Sequence, residues 1–251
     1  MLQPIARLMP LARYMLLAGA ALFSTGAPAQ TSNVYIDRVP PLSFVVDGEQ
    51  RGLLWDLTQE LAHRVDYHGP VTPLPLKRQR ILLSMQNDVI GTMWRYPENE
   101  EHYRWWVKLF DFSFYMVAAP DSTVDISSVA AARRLRVGVI LGSPAEVLVR
   151  RLGFQHIETS ALAEANARKL ALGRIDIWVA TPAVLHAVQA SAGSQLGKPR
   201  VGAELGRLGL YLVSAPGFDP QQGAQWAAAF AAMQKDGSYL QIMHKYPGAL
   251  P

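Results

Sequence analysis

Short apolar segments with strand spacing alternate with longer segments of helical periodicity along most of this chain. The first part of this alternation predicts strands at 34–36, 71–76 and 88–93, with helices at 52–65 and 77–86. In the first of these helices, apolar residues recur every three or four positions with charged residues between them. Strands that alternate with helices form mostly parallel sheets covered on both faces, so we predict an α/β fold.

A second unit of the same kind starts near residue 129. Its predicted elements are, in order, strand 135–140, helix 145–152, strand 154–158, helix 161–172, strand 175–179 and helix 182–190. Extended segments at 112–119 and 208–214 are predicted to leave and re-enter the first unit. Helices at 219–233 and 238–246 then close the chain.

Two extended crossings between two α/β units predict two lobes with a cleft between them. Lobe 1 is expected at residues 30–113 and 209–251, and lobe 2 at residues 114–208. Ligands of open α/β sheets lie beyond the carboxyl ends of the strands, beside helix N-termini. The loops expected to line the cleft are 41–44, 76–78, 94–99, 141–144 and 179–182.

The N-terminal segment has the layout of a secretory signal peptide. Two arginines precede an apolar run at 14–23, and Ala27-Pro28-Ala29 supplies small residues for a cut before Gln30. The apolar run is about half of the roughly 20 residues that a membrane span needs. We therefore expect residues 1–29 to be cleaved and the mature chain to lie in the bacterial periplasm.

Composition and motifs argue against several functional classes. The chain has no cysteine, which excludes disulfides, cysteine-bound metals and a cysteine-linked lipid anchor. The formal charge of +4 is not gathered into a basic run, and the six histidines are scattered, so we expect no nucleic-acid partner, no metal and no cofactor. Gly142-Ser143 lacks the Gly-x-Ser-x-Gly pattern of a nucleophile, and the acidic 98–101 segment is interpreted as a solvated loop. We predict no catalytic residue and no enzyme.

Six segments spread over nearly the whole mature chain resemble one known family when they are taken in order. They are PPLSFVVDGEQRGLLWDLTQELA (40–62), PLPLKRQR (73–80), DVIGTMWRYPENEE (88–101), LRVGVILGSPAE (135–146), LALGRIDIWVATP (170–182) and FAAMQKDGSYLQIMHKY (230–246). This set resembles the periplasmic solute-binding proteins of family 3, the amino-acid receptors of ABC transporters with the type II binding-protein fold. The resemblance implies a Venus-flytrap closure on a small molecule and delivery to an inner-membrane ABC permease. We expect the receptor to be a monomer.

The two charged anchors that the resemblance implies are both replaced in this chain. An arginine that holds a ligand carboxylate is expected after Pro-Glu, and Asn99 stands there. An aspartate that holds the ammonium is expected after the strand at 175–179, where the chain has Ala180 and Thr181. Because buried charges need partners, an ordinary amino acid is not the expected ligand.

Other residues of the cleft loops are candidates for ligand contact. Arg95 is expected either to supply a shifted positive charge or to face solvent. Arg78, at a helix N-terminus, is expected either to meet an anion in the cleft or to lie on the surface. Ser143 and Thr181 are candidates for ligand contact and for plain N-caps, two roles that are compatible.

Aromatic residues are the candidates for the walls of the pocket. Trp94 stands where the resemblance implies a small hydroxyl residue, so it is expected to fill volume or to stack on a flat ligand. Phe44 is expected at the cleft, and Trp55 is expected either there or in the core. We therefore expect a flat or anionic solute.

Three functions are compatible with this pattern. The first is a receptor for an ABC importer, and the second is a periplasmic sensor or accessory protein that presents its ligand to a signalling partner. The third and least favoured is an enzyme on the same scaffold.

The missing anchors lead to a first testable prediction. Isothermal calorimetry with each standard L-amino acid should show weak binding or none, because the zwitterion would lack both charged partners. Tight binding of glutamine, arginine or a similar amino acid would contradict this expectation.

Overall fold

The computed structural model describes residues 32–191 and 196–246, so the predicted signal peptide 1–29 lies outside the described residues. The strands in these ranges are β1 (Asn33–Asp37), β2 (Phe44–Val46), β3 (Glu49–Arg51), β4 (Val71–Leu74), β5 (Val89–Trp94), β6 (Arg104–Ala118), β7 (Arg136–Ile140), β8 (His156–Ser160), β9 (Ile177–Ala180) and β10 (Arg200–Ser214). The α-helices are α1 (Leu53–Arg64), α2 (Leu76–Met85), α3 (Val129–Ala132), α4 (Pro144–Arg151), α5 (Ala163–Ala171), α6 (Pro182–Ala190), α7 (Pro220–Asp236) and α8 (Ser238–His244), and Pro97–His102 forms a 3-10 helix. None of the described helices is long and apolar enough to cross a membrane.

One mixed sheet contains eight of the described strands, in the order β4-β1-β5-β10-β6-β9-β7-β8. At one end β1 pairs in parallel with β4 and β5, and at the other end β7 pairs in parallel with β8 and β9. Between them β6 and β10 run antiparallel to each other, with β10 bonded to β5 and β6 bonded to β9. Two parallel halves are thus joined through two long strands, which confirms the predicted two-lobed α/β fold.

The two crossing strands are longer than the sequence predicted. Each has 15 residues, whereas extended structure was expected only at 112–119 and 208–214. Their pairing runs from Arg200 opposite Ala118 to Ser214 opposite Arg104, with register shifts between Val201 and Gly206, at Leu210–Tyr211 and at Leu212–Val213. Glycines in the first half of β10 interrupt its apolar alternation and hide the strand pattern. The register shifts lie beside β9 in one half and beside β5 in the other, and such irregularities bend and twist a strand.

Turn and capping residues set the ends of several elements. Asp47 and Gly48 adopt positive φ values of 53° and 81° between β2 and β3, as the two central residues of a tight hairpin turn do. Gly237 has a φ of 83° and ends α7. That helix therefore extends three residues beyond the predicted end at 233.

A glutamine side chain holds the end of β5. The hydrogen-bond ladder between β1 and β5 ends at Tyr35 opposite Gly91. At Thr92, the next residue of β5, the fully buried side chain of Gln79 in α2 supplies the hydrogen bonds instead. Its Nε2 donates to the Thr92 carbonyl at 2.7 Å, and the Thr92 N–H donates to its Oε1 at 3.0 Å. The Thr92 hydroxyl accepts from the Asp37 N–H at 3.1 Å. Helix α2 thus fixes the ends of both strands where they separate.

Replacement of this glutamine tests the brace. Gln79→Leu should lower the free energy of unfolding by about 2 kcal/mol or more, because two buried backbone groups of Thr92 lose their partner. Gln59→Leu, on the exposed surface of α1, is the matched control and should change stability little. Urea denaturation of both variants measures the difference, and equal midpoints would show that Gln79 has no such role.

Candidate functional site

Helix α6 of the second half packs against the loop that follows β1 in the first half. A small cavity of about 90 Å³ lies at this contact. It is lined by Pro41, Leu42, Leu53, Phe112 and Tyr246 on one side and by Ala183, His186 and Ala187 of α6 on the other. The α6 residues recur at helical spacing, so one face of the helix forms the wall. The cavity is largely apolar, and it lies at the carboxyl end of β1, as the predicted cleft does.

Trp94 lies next to this cavity and fills space rather than leaving it open. Its side chain is buried, and its ring centroid lies 6.1 Å from both Phe112 and Phe114. Phe112 itself lines the cavity. Trp94 thus packs in the interior against two phenylalanine rings.

Asp37 is a buried carboxylate that the sequence reasoning did not single out. It is the last residue of β1, is 5% exposed, and forms no ion pair with a described residue. Burial raises its pKa to about 7, and the Trp94 indole N–H, which faces the carboxylate without a hydrogen bond of normal geometry, offsets part of this increase. The rule that located the cleft loops also applies to the last residue of a strand, and it would have pointed to Asp37.

Asn99 has its side-chain amide engaged within its own loop. Its Oδ1 accepts from the Tyr96 N–H at 3.0 Å, and its Nδ2 donates to the Trp94 carbonyl at 2.8 Å. The residue is 8% exposed. Asn99 therefore closes the turn after β5, and its amide is not directed at the cavity.

Arg95 is also engaged by a neighbour. Its guanidinium binds the Glu100 carboxylate through two hydrogen bonds, with Nε to Oε2 at 2.7 Å, and lies about 5 Å from the ring centroids of Trp105 and Tyr211. The pair raises the pKa of Arg95 and lowers that of Glu100. The positive charge of Arg95 is therefore already balanced, and it lies on the opposite side of β5 from Trp94, since successive side chains alternate.

The N-termini of α4 and α6 are capped by their own side chains. The Glu146 N–H donates to the Ser143 hydroxyl at 3.4 Å, and the Val184 N–H donates to the Thr181 hydroxyl at 3.3 Å. At α4 the Glu146 carboxylate also accepts from the Gly142 N–H at 2.7 Å. Both expected N-cap roles are present, and α4 receives a carboxylate from within the chain.

The remaining candidates lie at the rim or in the core. Phe44 is half-buried at the start of β2, and Trp55 is half-buried on α1 against the main core. Arg78 is exposed on α2, and its side chain forms no hydrogen bond or ion pair with another described residue. The structure thus brings Asp37 next to Trp94 in the buried interior. It places neither of them, and neither Arg78 nor Arg95, among the residues that line the cavity.

An ion pair links the loop after β5 to helix α4. Arg151 Nε lies 3.2 Å from Glu98 Oε1, and both side chains are about half exposed. The loop also borders a broad open groove of about 610 Å³ that includes Glu98, Glu100, Glu101 and His102. No group of acidic or histidine side chains among the described residues is arranged to hold a metal ion.

Comparison with known proteins identifies the fold. No family model and no curated protein sequence matches the chain. Among solved structures, it is similar to a histidine kinase sensor domain described as similar to periplasmic binding proteins, with a TM-score of 0.76, 17% identity, and 88% of this chain and 98% of that chain covered. It is also similar to the substrate-binding protein of an amino-acid ABC transporter, with a TM-score of 0.71, 17% identity, and 86% and 98% covered.

A third solved structure is an ancestral amino-acid-binding protein described as a precursor of cyclohexadienyl dehydratase. It has a TM-score of 0.72 and 20% identity, with 86% of this chain and 94% of that chain covered. At these identities the likeness concerns the fold. The chain has the type II periplasmic-binding-protein fold, as the resemblance in its sequence implied.

The raised pKa of Asp37 predicts how stability depends on pH. The Asp37 carboxyl ionises near pH 4 in the unfolded chain, whereas in the folded protein it keeps its proton to about pH 7. The free energy of unfolding should therefore fall as the pH rises from 4 to 7 and then level off. Asp37→Asn should remove this loss and gain up to roughly 4 kcal/mol relative to wild type at pH 8. Urea denaturation from pH 4 to pH 8 measures the difference.

The control for this prediction is Asp47→Asn in the exposed β2–β3 turn, where asparagine also tolerates positive φ. It should leave the pH profile of wild type unchanged. A profile for Asp37→Asn that is parallel to wild type would show that Asp37 ionises normally in the folded protein.

Proposed function

We propose that this protein is a solute-binding receptor whose two lobes close on a small molecule. The observation that carries the proposal is the contact of α6 with the loop after β1 around a small cavity, where the halves of the described sheet are joined through β6 and β10. We assign residues 30–113 and 209–251 to lobe 1 and residues 114–208 to lobe 2.

Closure in such a receptor depends on contacts that exist only when the lobes are together. A ligand stabilises the closed state by the difference between its affinities for the two states. The ion pair between Arg151 and Glu98 belongs to this class of contacts, although a partly exposed pair contributes little by itself. Most of the stabilisation is therefore assigned to the solute and to the apolar walls that enclose it.

The partner that we propose is an inner-membrane ABC permease. A structural neighbour is the substrate-binding protein of an amino-acid ABC transporter, and the predicted signal peptide would place the mature chain in the periplasm. The second candidate, a sensor or accessory protein, is supported by the likeness to a histidine kinase sensor domain. A neighbouring permease and ATPase favour the first role, and uptake of the solute that depends on this protein would establish it.

Binding without turnover is part of the proposal. One structural neighbour is an amino-acid-binding protein described as a precursor of a dehydratase, so proteins with this fold can also be enzymes. The residues that line the cavity are mostly apolar, and His186 and Tyr246 are the titratable side chains among them. Mass spectrometry of a bound solute after prolonged incubation should recover it unchanged.

The sequence predicted a flat or anionic solute. The surroundings of the arginine and tryptophan side chains indicate which of them is available to bind such a solute. Arg95 is paired with Glu100, whereas the exposed Arg78 is free of ion pairs with the described residues and is the cation most available to an anion. Trp94 lies against phenylalanines and offers at most an edge to a flat solute.

Two experiments test the proposal in turn: a screen for ligands, and a measurement of lobe closure with the ligand that the screen finds. Thermal-shift screening of a metabolite library should give at least one compound that raises Tm, because a ligand of the folded state stabilises it by mass action. Small-angle X-ray scattering with that compound should then show a smaller radius of gyration. A library without binders, or binding without any compaction, would contradict a receptor that closes on its solute.

A further inference from the structure

We propose that the ion pair between Glu98 and Arg151 is a latch that favours the closed arrangement of the lobes in the free protein. This inference rests on the proposed receptor function, because it requires that the lobes move relative to each other. It goes beyond that function by naming a contact within the chain that shifts the balance between open and closed states. A solute that binds the closed state then meets a protein in which that state is already more populated.

The position of this pair in the fold distinguishes it from the other ion pairs. Arg151 Nε lies 3.2 Å from Glu98 Oε1. Glu98 belongs to the 3-10 helix that follows β5 in lobe 1, whereas Arg151 is the last residue of α4 in lobe 2. Every other ion pair between described residues joins two residues of the same proposed lobe. Opening of the lobes would therefore break this pair and leave the others intact.

The amide of Asn99 fixes the start of the 3-10 helix that carries Glu98. Its Oδ1 accepts from the Tyr96 N–H at 3.0 Å, and its Nδ2 donates to the Trp94 carbonyl at 2.8 Å. The Asn99 N–H also donates to the Tyr96 carbonyl at 3.0 Å. Because Asn99 follows Glu98 directly and is itself buried, these bonds restrict the backbone from which the Glu98 side chain extends.

The residue after Asn99 is held from two sides. The Glu100 carboxylate accepts two hydrogen bonds from the Arg95 guanidinium, and the Trp105 indole N–H donates to the Glu100 carbonyl at 2.8 Å. The loop is therefore tied to β5 through Arg95 and to β6 through Trp105. Arg95 and Asn99, two of the residues predicted to contact the ligand, thus hold the loop that presents Glu98 to lobe 2.

The charge of Arg151 is placed to meet this loop. A cation in the last turn of a helix is favourable beside the free carbonyl groups there. Among the described residues Arg151 has no other carboxylate within ion-pair distance, and Glu98 has no other cation. The side chains are 41% and 57% exposed, so solvent screens the pair. Such a pair changes the ratio of two states by roughly two- to fivefold, which biases the lobes without locking them.

Double electron–electron resonance on the free protein tests the latch without any solute. Spin labels at Lys77→Cys and Leu162→Cys, one in each proposed lobe, report the distance between the lobes. At low salt, Glu98→Arg should lower the ratio of closed to open molecules at least threefold, because attraction to Arg151 becomes repulsion. Combining Glu98→Arg with Arg151→Glu restores opposite charges and should recover most of the closed population.

The matched control breaks an ion pair within one lobe. Glu158 pairs with Lys169 in lobe 2 and is 56% exposed, close to the value for Glu98. Glu158→Arg should leave the distance distribution unchanged. Salt is a second control, since the Debye length falls from about 30 Å at about 0.01 M to about 3 Å at about 1 M. Wild type should therefore open as NaCl is added, and Arg151→Gln should lose most of this salt dependence.

The positioning role of Asn99 is tested by its dependence on Arg151. Asn99→Ala should shift the distribution toward longer distances in wild type. In the Arg151→Gln background the same substitution should have no further effect, because Glu98 has no partner left there. An equal shift in both backgrounds would show that Asn99 does not act through Glu98. Circular dichroism confirms that each variant is folded, and the charge reversals test the latch even where Asn99→Ala is unfolded.

The outcomes separate this inference from the proposed function. One shared distance distribution for wild type, Glu98→Arg and the double reversal would overturn the latch, whether that distribution is open or closed. A solute from the library screen that still shortens the distance would then leave the receptor function intact. A latch that responds to charge reversal in a protein for which the screen finds no binder would stand while the receptor function fell.

Discussion

The antiparallel pairing of β6 with β10 is the constraint on which the rest of the molecule depends. These two strands form the centre of the sheet. The other described strands of the sheet lie either on the β10 side or on the β6 side of this pair. The two halves can therefore change their relative position only through the pair. Its register is irregular at Val201–Gly206, Leu210–Tyr211 and Leu212–Val213, and such irregularities bend and twist the paired strands.

The site is built at the place where strands of the first half separate. Gln79 takes over from β1 at the end of β5, where the two strands separate, and Asp37 and Trp94 are the buried last residues of these strands. The same packing that makes the strand ends rigid leaves one carboxylate without a cation. Charge elsewhere is balanced locally, at Glu100 for Arg95 and at Arg150 for Glu146.

Much of the fold was predictable because it depends on local patterns. The apolar periodicity of α1, the Asp47-Gly48 turn and the glycine after α7 each indicate their element from neighbouring residues. The site was less predictable because its decisive contacts join residues whose side chains have several possible partners. Arg95 could have faced the cleft or Glu100, and only the folded loop selects between them. The position of Asp37 at the end of a strand could be predicted, but its burial without a cation is visible only in the folded protein.

The central claim is that the lobes close on a solute, and a distance across the cleft tests it most directly. Since the chain has no cysteine, spin labels can be placed at single cysteines replacing the exposed Lys77 of lobe 1 and Leu162 of lobe 2. Double electron–electron resonance then gives the distance distribution with and without the tightest binder. The account predicts a shift to one shorter, narrower distance when the solute is saturating. An unchanged distribution with the solute bound would contradict it.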